Sequence, residues 1–176
     1  MSGAANDEAE KWPLGIRALS NQIPRASVRT TLTYRIHPRL SLGVEYNPRA
    51  DDVGLLGNFV AMAETEKRPA LILGTSSDRI GTPSGRSFYA TVSKDLSAAV
   101  KLPIAAYVGV SYGSFEDRFR PIAGLTVNWR ENLSSLVIFD GVKVHPTLTY
   151  TLGGRHVFTF LLAQSRNPGV SYSISF

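Results

Sequence analysis

Apolar and polar residues alternate with a period of two through nearly the whole chain, and turn residues interrupt the alternation at short intervals. A period of two sends successive side chains to opposite faces of an extended backbone, whereas an amphipathic helix needs spacings of three and four. The helical spacing is scarce here. Segment 142–152 is the cleanest case. Val142, Val144, Pro146, Leu148, Tyr150 and Leu152 share one phase, and Lys143, His145, Thr147, Thr149 and Thr151 share the other. Asp140-Gly141 before it and Gly153-Gly154 after it are tight-turn signals, so this strand sits between two hairpins. Pro146 removes one ladder donor from it.

The same rule predicts strands over 27–36, 40–47, 102–113 and 119–130. Weaker alternation marks 55–64, 70–78, 87–94, 133–139, 155–164 and 170–176. Segment 14–20, with Leu14, Ile16 and Ala18 in phase, makes a twelfth strand or else a plug or surface segment. A single-chain bacterial barrel has an even number of strands. The expected fold is therefore all-β: a closed, antiparallel, up-and-down transmembrane barrel of about 12 strands, or 10 if weak segments merge. Residues 13–176 form one barrel domain, and residues 1–12 a disordered or surface segment. Segments 47–54, 64–69 and 79–86 are expected as the longest loops.

Alternation alone also suits a soluble barrel or sandwich, and composition separates them. Charged residues make up 19% of the chain, below the roughly 25% of soluble domains. The polar phase is dominated by Ser, Thr, Gly, Asn and single Arg, which suits a narrow polar lumen. The apolar phase carries almost no charge, and a Lys or Arg there would cost about 2 to 4 kcal/mol at mid-bilayer. Tyr34, Tyr46, Phe88, Tyr112, Phe119, Trp129, Phe139 and Phe176 fall near turns or the terminus, as interfacial aromatic girdles would. Apolar runs fall far short of the roughly 20 residues of a spanning helix. Residues 1–11 have neither a basic nor an apolar region, so no signal peptide is expected in the given chain.

The final strand alternates to the last residue, with Val170, Tyr172, Ile174 and Phe176 in one phase. It resembles the C-terminal insertion signal of bacterial outer-membrane barrel proteins. Asn167-Pro168-Gly169 followed by Tyr172 and Ile174 is also similar to the mitochondrial barrel signal. The resemblance implies a bacterial-type outer membrane, its lipids and the barrel assembly machinery as partners, and room for a homo-oligomer or larger envelope complex.

The expected function is a passive, porin-like channel or a structural envelope component. On the polar phase, Arg29, Arg35, Glu45, Arg120, Asn128, Arg130, Lys143, His145 and Arg155 are the candidate lumen-lining residues. Basic groups exceed acidic ones among them, so an open pore favours anions. In a narrow barrel the same residues form an internal ion-pair network instead. Two other readings stay open: a soluble lipocalin-like barrel holding an apolar ligand, and an outer-membrane lipid-modifying enzyme using His145 or His156. The chain has a net charge of +5, but its Lys and Arg are scattered, which argues against a nucleic-acid partner. With no Cys and no His pair at ligand spacing, neither a metal nor a cofactor is expected, and no catalytic residue is assigned.

Overall fold

Short connections oblige each strand to pair with the next strand in the chain, and the pattern holds all the way round. The computed structural model describes residues 12–176; residues 1–11, expected as part of the N-terminal segment, lie outside them. The twelve strands are β1 (Pro13–Leu19), β2 (Val28–His37), β3 (Leu40–Asn47), β4 (Asp52–Met62), β5 (Ala70–Ser77) and β6 (Arg86–Asp95), then β7 (Ile104–Gly113), β8 (Arg118–Arg130), β9 (Leu133–Phe139), β10 (Val144–Leu152), β11 (His156–Ala163) and β12 (Asn167–Ser175). They form one closed antiparallel barrel with up-and-down order. Closure joins β1 to β12, with Leu14 opposite Ile174 and Arg17 opposite Ser171. An odd number of alternating strands would make the closing pair parallel, so segment 14–20 had to be a strand. Trp12 extends the seam through paired backbone hydrogen bonds with Phe176, at 3.0 and 3.3 Å.

The burial pattern is inverted relative to a water-soluble domain. The largest fully buried side chains are Glu45, Asn47, Thr82 and Ser27, whereas Leu55 and Phe119 are each 70% exposed and Val108 62%. Strand by strand, the apolar phase points outward and the polar phase inward. Along β1 the outward residues Leu14, Ile16 and Ala18 alternate with the less exposed Gly15, Arg17 and Leu19. Strands run from 7 residues in β1 to 13 in β8, around the roughly 9–11 that cross a bilayer when tilted. No helix is long and apolar enough to cross a membrane, among the described residues.

Aromatic rings gather toward both ends of the outer wall. At the end bearing the termini, Trp12 packs on Tyr34 (4.5 Å between centroids) and Phe158 on Tyr172 (5.1 Å). At the opposite end Tyr112 packs on Phe119 at 5.2 Å, and the Tyr112 hydroxyl donates to Asp117 in the adjoining turn at 2.6 Å. Such rings present an apolar body and a polar tip, the character of residues at an apolar–water boundary.

One loop expectation needs correction. Segment 47–54 is a tight turn of residues 48–51: the Ala50 amide donates to the Asn47 carbonyl at 3.0 Å, and Asp51 takes a left-handed conformation at φ 47°. The Asn47 side-chain amide then reaches the Asp52 carboxylate at 3.2 Å, tying the strands across the turn. Longer connections instead occupy residues 20–27, which contain α1 (Pro24–Ser27), and residues 96–103, which contain α2 (Ser97–Val100). Both hold short helical turns, which carry no period-two signal.

Candidate functional site

The barrel interior is polar, and its half away from the termini is crossed by the connection between β5 and β6, residues 78–85. This segment folds inward and is held on three sides. From α1, the buried Arg25 donates through Nε to the Thr82 carbonyl at 2.7 Å. Its Nη2 reaches the carbonyls of Asp78 and Arg79, at 3.1 and 2.9 Å, and the Thr82 hydroxyl at 2.6 Å. On the second side, Arg79 forks onto Glu116 of the β7–β8 turn, with Nη2 2.7 Å from Oε1. Glu116 also accepts from Arg120 on β8, at 2.7 Å. On the third side, the Gln164 amide donates to the Ile80 carbonyl at 3.3 Å. The Ile80 side chain packs on a small apolar cluster of Leu19, Leu161 and Ala163, beside which it is sheltered from water.

These contacts set the electrostatics of the segment. Hydrogen bonds from Arg79 and then Arg120 hold the Glu116 carboxyl down at about 2. The same bond raises Arg79 above the ordinary guanidinium value, against the opposing effect of burial. Burial works against ionisation of Asp140, in the β9–β10 turn, but hydrogen bonds from His145 and the amides of Lys143 and Val142 outweigh it and leave its carboxyl below the usual range.

A second network lies on the wall of β2, β3 and β6. Glu45 is fully buried and accepts from Arg29 on the neighbouring strand, from Arg86 at 2.8 Å and from the Ser77 hydroxyl at 3.2 Å. Arg86 also bonds the Val53 carbonyl. Gly54 makes this possible: any Cβ there would overlap the Arg86 guanidinium. Two cavities of about 330 and 190 Å³ flank residues 78–80. Arg17, Arg25 and Arg29 line the larger one, facing Thr147, Thr159 and Ser171. Tyr89, Tyr107 and Arg120 line the smaller.

Of the residues singled out from sequence, Arg29, Glu45, Arg120 and His145 gather in this half of the interior. Arg35 lies on β2 toward the end bearing the termini. Asn128 and Arg130 lie at the last turn of β8 on that same rim, where the β8–β9 register shifts, and both are exposed. Lys143 and Arg155 sit in turns at opposite rims, exposed. Val170, Tyr172 and Ile174 lie on the outward phase of β12, and Phe176 continues its ladder with Trp12.

Residues that alternation did not single out complete the site. Arg17 was readable, since it falls between Ile16 and Ala18 in the polar phase of β1. Arg25, Arg79, Glu116 and Asp140 lie in connections, where alternation gives no phase.

His145 is buried at 3% exposure, and both ring nitrogens are engaged. The Gln164 backbone N–H donates to Nδ1 at 3.0 Å, which places the ring proton on Nε2, 2.9 Å from Asp140. No ring nitrogen is left to activate a nucleophile. His156 pairs through Nδ1 with the Tyr172 hydroxyl at 2.8 Å, on the outward phase.

No protein-family model matches the chain, and no curated protein does. Among solved structures it is similar to the NanC porin in its rhombohedral crystal form, with a TM-score of 0.52 at 12% identity, covering 94% of this chain and 98% of that one. At that identity the likeness concerns the fold alone, and it extends over nearly the whole of both chains.

Proposed function

We propose that this chain is a small outer-membrane channel for passive diffusion, with a lumen that favours anions and is narrowed by residues 78–85. The observation that carries the reading is the inverted burial: Glu45 and Asn47 lie inside, while Leu55, Val108 and Phe119 stand on the outer wall. In water that wall would expose a continuous apolar belt far larger than soluble monomers tolerate. In a bilayer it is the surface the lipid requires, and the closed ladder leaves no backbone edge unsatisfied. A lipocalin-like carrier needs an apolar interior, the reverse of this arrangement. The engaged nitrogens of His145 speak against catalysis. The NanC porin likeness supports the same architecture.

Anion preference follows from how the charges are used. The carboxylates of Glu45 and Glu116 each serve two guanidinium groups, and Asp140 is held by His145 and two backbone amides. Asp78 accepts the amides of Arg79 and Phe115, at 2.8 and 3.2 Å. Arg25 directs Nε and Nη2 at neutral oxygens, and no carboxylate among the described residues touches it. Outer-membrane lipids and the barrel assembly machinery are the partners this reading assigns, with the β12 residues Val170, Tyr172 and Ile174, and Phe176 beyond them, presented for recognition.

Planar-bilayer recording of the refolded chain under a potassium chloride gradient tests the proposal. Conductance with a reversal potential displaced toward that of chloride is the expected result. A protein that stays monodisperse without detergent and is silent in bilayers would refute it.

A further inference from the structure

The interior carries a row of side chains at one level of the wall. Thr149 lies opposite Thr159, Thr159 opposite Ser171, Ser171 opposite Arg17, and Arg17 opposite Arg29, across five consecutive strands around the seam. Three hydroxyl residues are thus followed by two guanidinium groups. Like charges directly opposite in an antiparallel pair destabilise the sheet. Arg29 has Glu45 as a counter-ion, which it shares with Arg86. Arg17 has no carboxylate at ion-pair distance among the described residues, and Arg25 brings a further positive charge to the same cavity. The Nε atoms of both Arg17 and Arg29 are buried and find no hydrogen-bond acceptor among the described residues. An unpaired buried donor on a charged group is costly, and two of them side by side mark a place where an acceptor belongs.

We infer that the larger cavity is a binding site for one compact oxyanion, a carboxylate or a phosphate, held between Arg17 and Arg29. Its oxygens accept from the two guanidinium groups, and Arg25, which also lines the 330 Å³ cavity, adds a third positive charge. Thr159 and Ser171 supply hydroxyls on the other side of the row. Guanidinium matches such anions because its planar fork donates two parallel bonds to two oxygens. Chloride, a single sphere, offers the fork one acceptor atom where an oxyanion offers two. The site deepens the channel reading and rests on it for its role in passage: an oxyanion pauses here beside the 78–85 segment.

The test uses the full chain refolded in detergent micelles, titrated with inorganic phosphate and separately with acetate at low ionic strength. Calorimetry is the first readout. The thermal unfolding midpoint is the second. Wild type is expected to bind at millimolar phosphate or below and to unfold at higher temperature with phosphate present. Arg17→Gln weakens binding by about tenfold or more, the loss of one charge-assisted fork. Without phosphate it unfolds at a higher temperature than wild type, because the like-charge pair is gone. A purely structural arginine would do the opposite. Should the glutamine variant not refold, Arg17→Lys keeps the charge but removes the fork, and it binds more weakly than wild type. Arg49→Gln, in the exposed β3–β4 turn, leaves binding unchanged.

Equal binding by wild type and both Arg17 variants, or none by wild type, overturns the site. Conductance in a protein that binds no oxyanion removes the site and leaves the channel. Oxyanion binding in a protein that is silent in bilayers keeps the site and removes the channel.

Discussion

Glu45 on β3 and Arg86 on β6 meet at 2.8 Å although β4 and β5 lie between their strands in the barrel wall. The pair is a strut along the inner surface, and Arg29 loads it from the other side. Replacing Glu45 by Gln leaves Arg29 without its counter-ion and Arg86 with only the longer contact to Asp52, at 3.5 Å. Breaking a buried pair by removing one partner costs about 3 kcal/mol or more. Urea unfolding in detergent, followed by tryptophan fluorescence, is expected to show that loss. Unchanged stability would mean that the strut carries no load.

Gly54 and Arg86 form a steric couple. Alanine at Gly54 pushes the guanidinium off Glu45, so Gly54→Ala and Arg86→Gln are expected to destabilise by similar amounts and to be far from additive together. A double-mutant cycle measures this. Full additivity would show that the glycine acts through the backbone alone.

Arg25 holds residues 78–85 through four hydrogen bonds to three carbonyls and one hydroxyl. Arg25→Ala is expected to free the segment, raise single-channel conductance and expose Arg79 to trypsin. Arg25→Lys does not restore the closed behaviour, because an ammonium group cannot span those acceptors as a planar fork does. Conductance identical to wild type in Arg25→Ala would show that the segment does not narrow the path.

The tie through Glu116 has a defined pH window. Its folded-state value of about 2 lies below that of a free glutamate, so its contribution is fully present above about pH 4. It is lost as pH falls through the folded value. Protease protection of residues 78–85 should therefore hold from neutral pH down to about pH 4 and fade only toward pH 2. In Glu116→Gln that acid-dependent loss disappears. Loss of protection already near pH 5 in wild type would contradict the assignment.

Val108 sits in the middle of β7 on the outer wall. Val108→Arg is expected to destabilise the barrel in lipid vesicles by about 2 to 4 kcal/mol. Thr149→Arg, on the inward phase of β10, should cost much less. If the two variants lose equal stability, the outer wall does not face hydrocarbon.

The wall of this barrel is legible in the sequence because a closed antiparallel ladder fixes the phase of every residue. Once Asp140-Gly141 and Gly153-Gly154 set β10 between hairpins, Thr147 and Thr149 must face in, and Leu148 and Tyr150 out. The same phase places Arg29, Glu45 and His145 inside, and Arg17 too once 14–20 is taken as a strand. The inner segment is a different matter. Residues 78–85 obey no period, and their inward fold depends on Arg25, Glu116 and Gln164, which lie in three other connections. Arg86 shows the limit most directly. It opens β6, where the wall ends, and the chain's alternation cannot tell that its side chain bends over Gly54 to reach Glu45.

The seam between β1 and β12 governs how such a chain can be made. Every other neighbouring pair is a local hairpin that can zip as soon as its turn forms, but Leu14 finds Ile174 only when almost the entire polypeptide exists. The cost of bringing such distant segments together falls on this one junction. The ring therefore shuts last. A chain shortened by one strand at either end does not become a smaller barrel; it becomes a curved sheet with two bare edges, ready to pair with whatever strand it meets first.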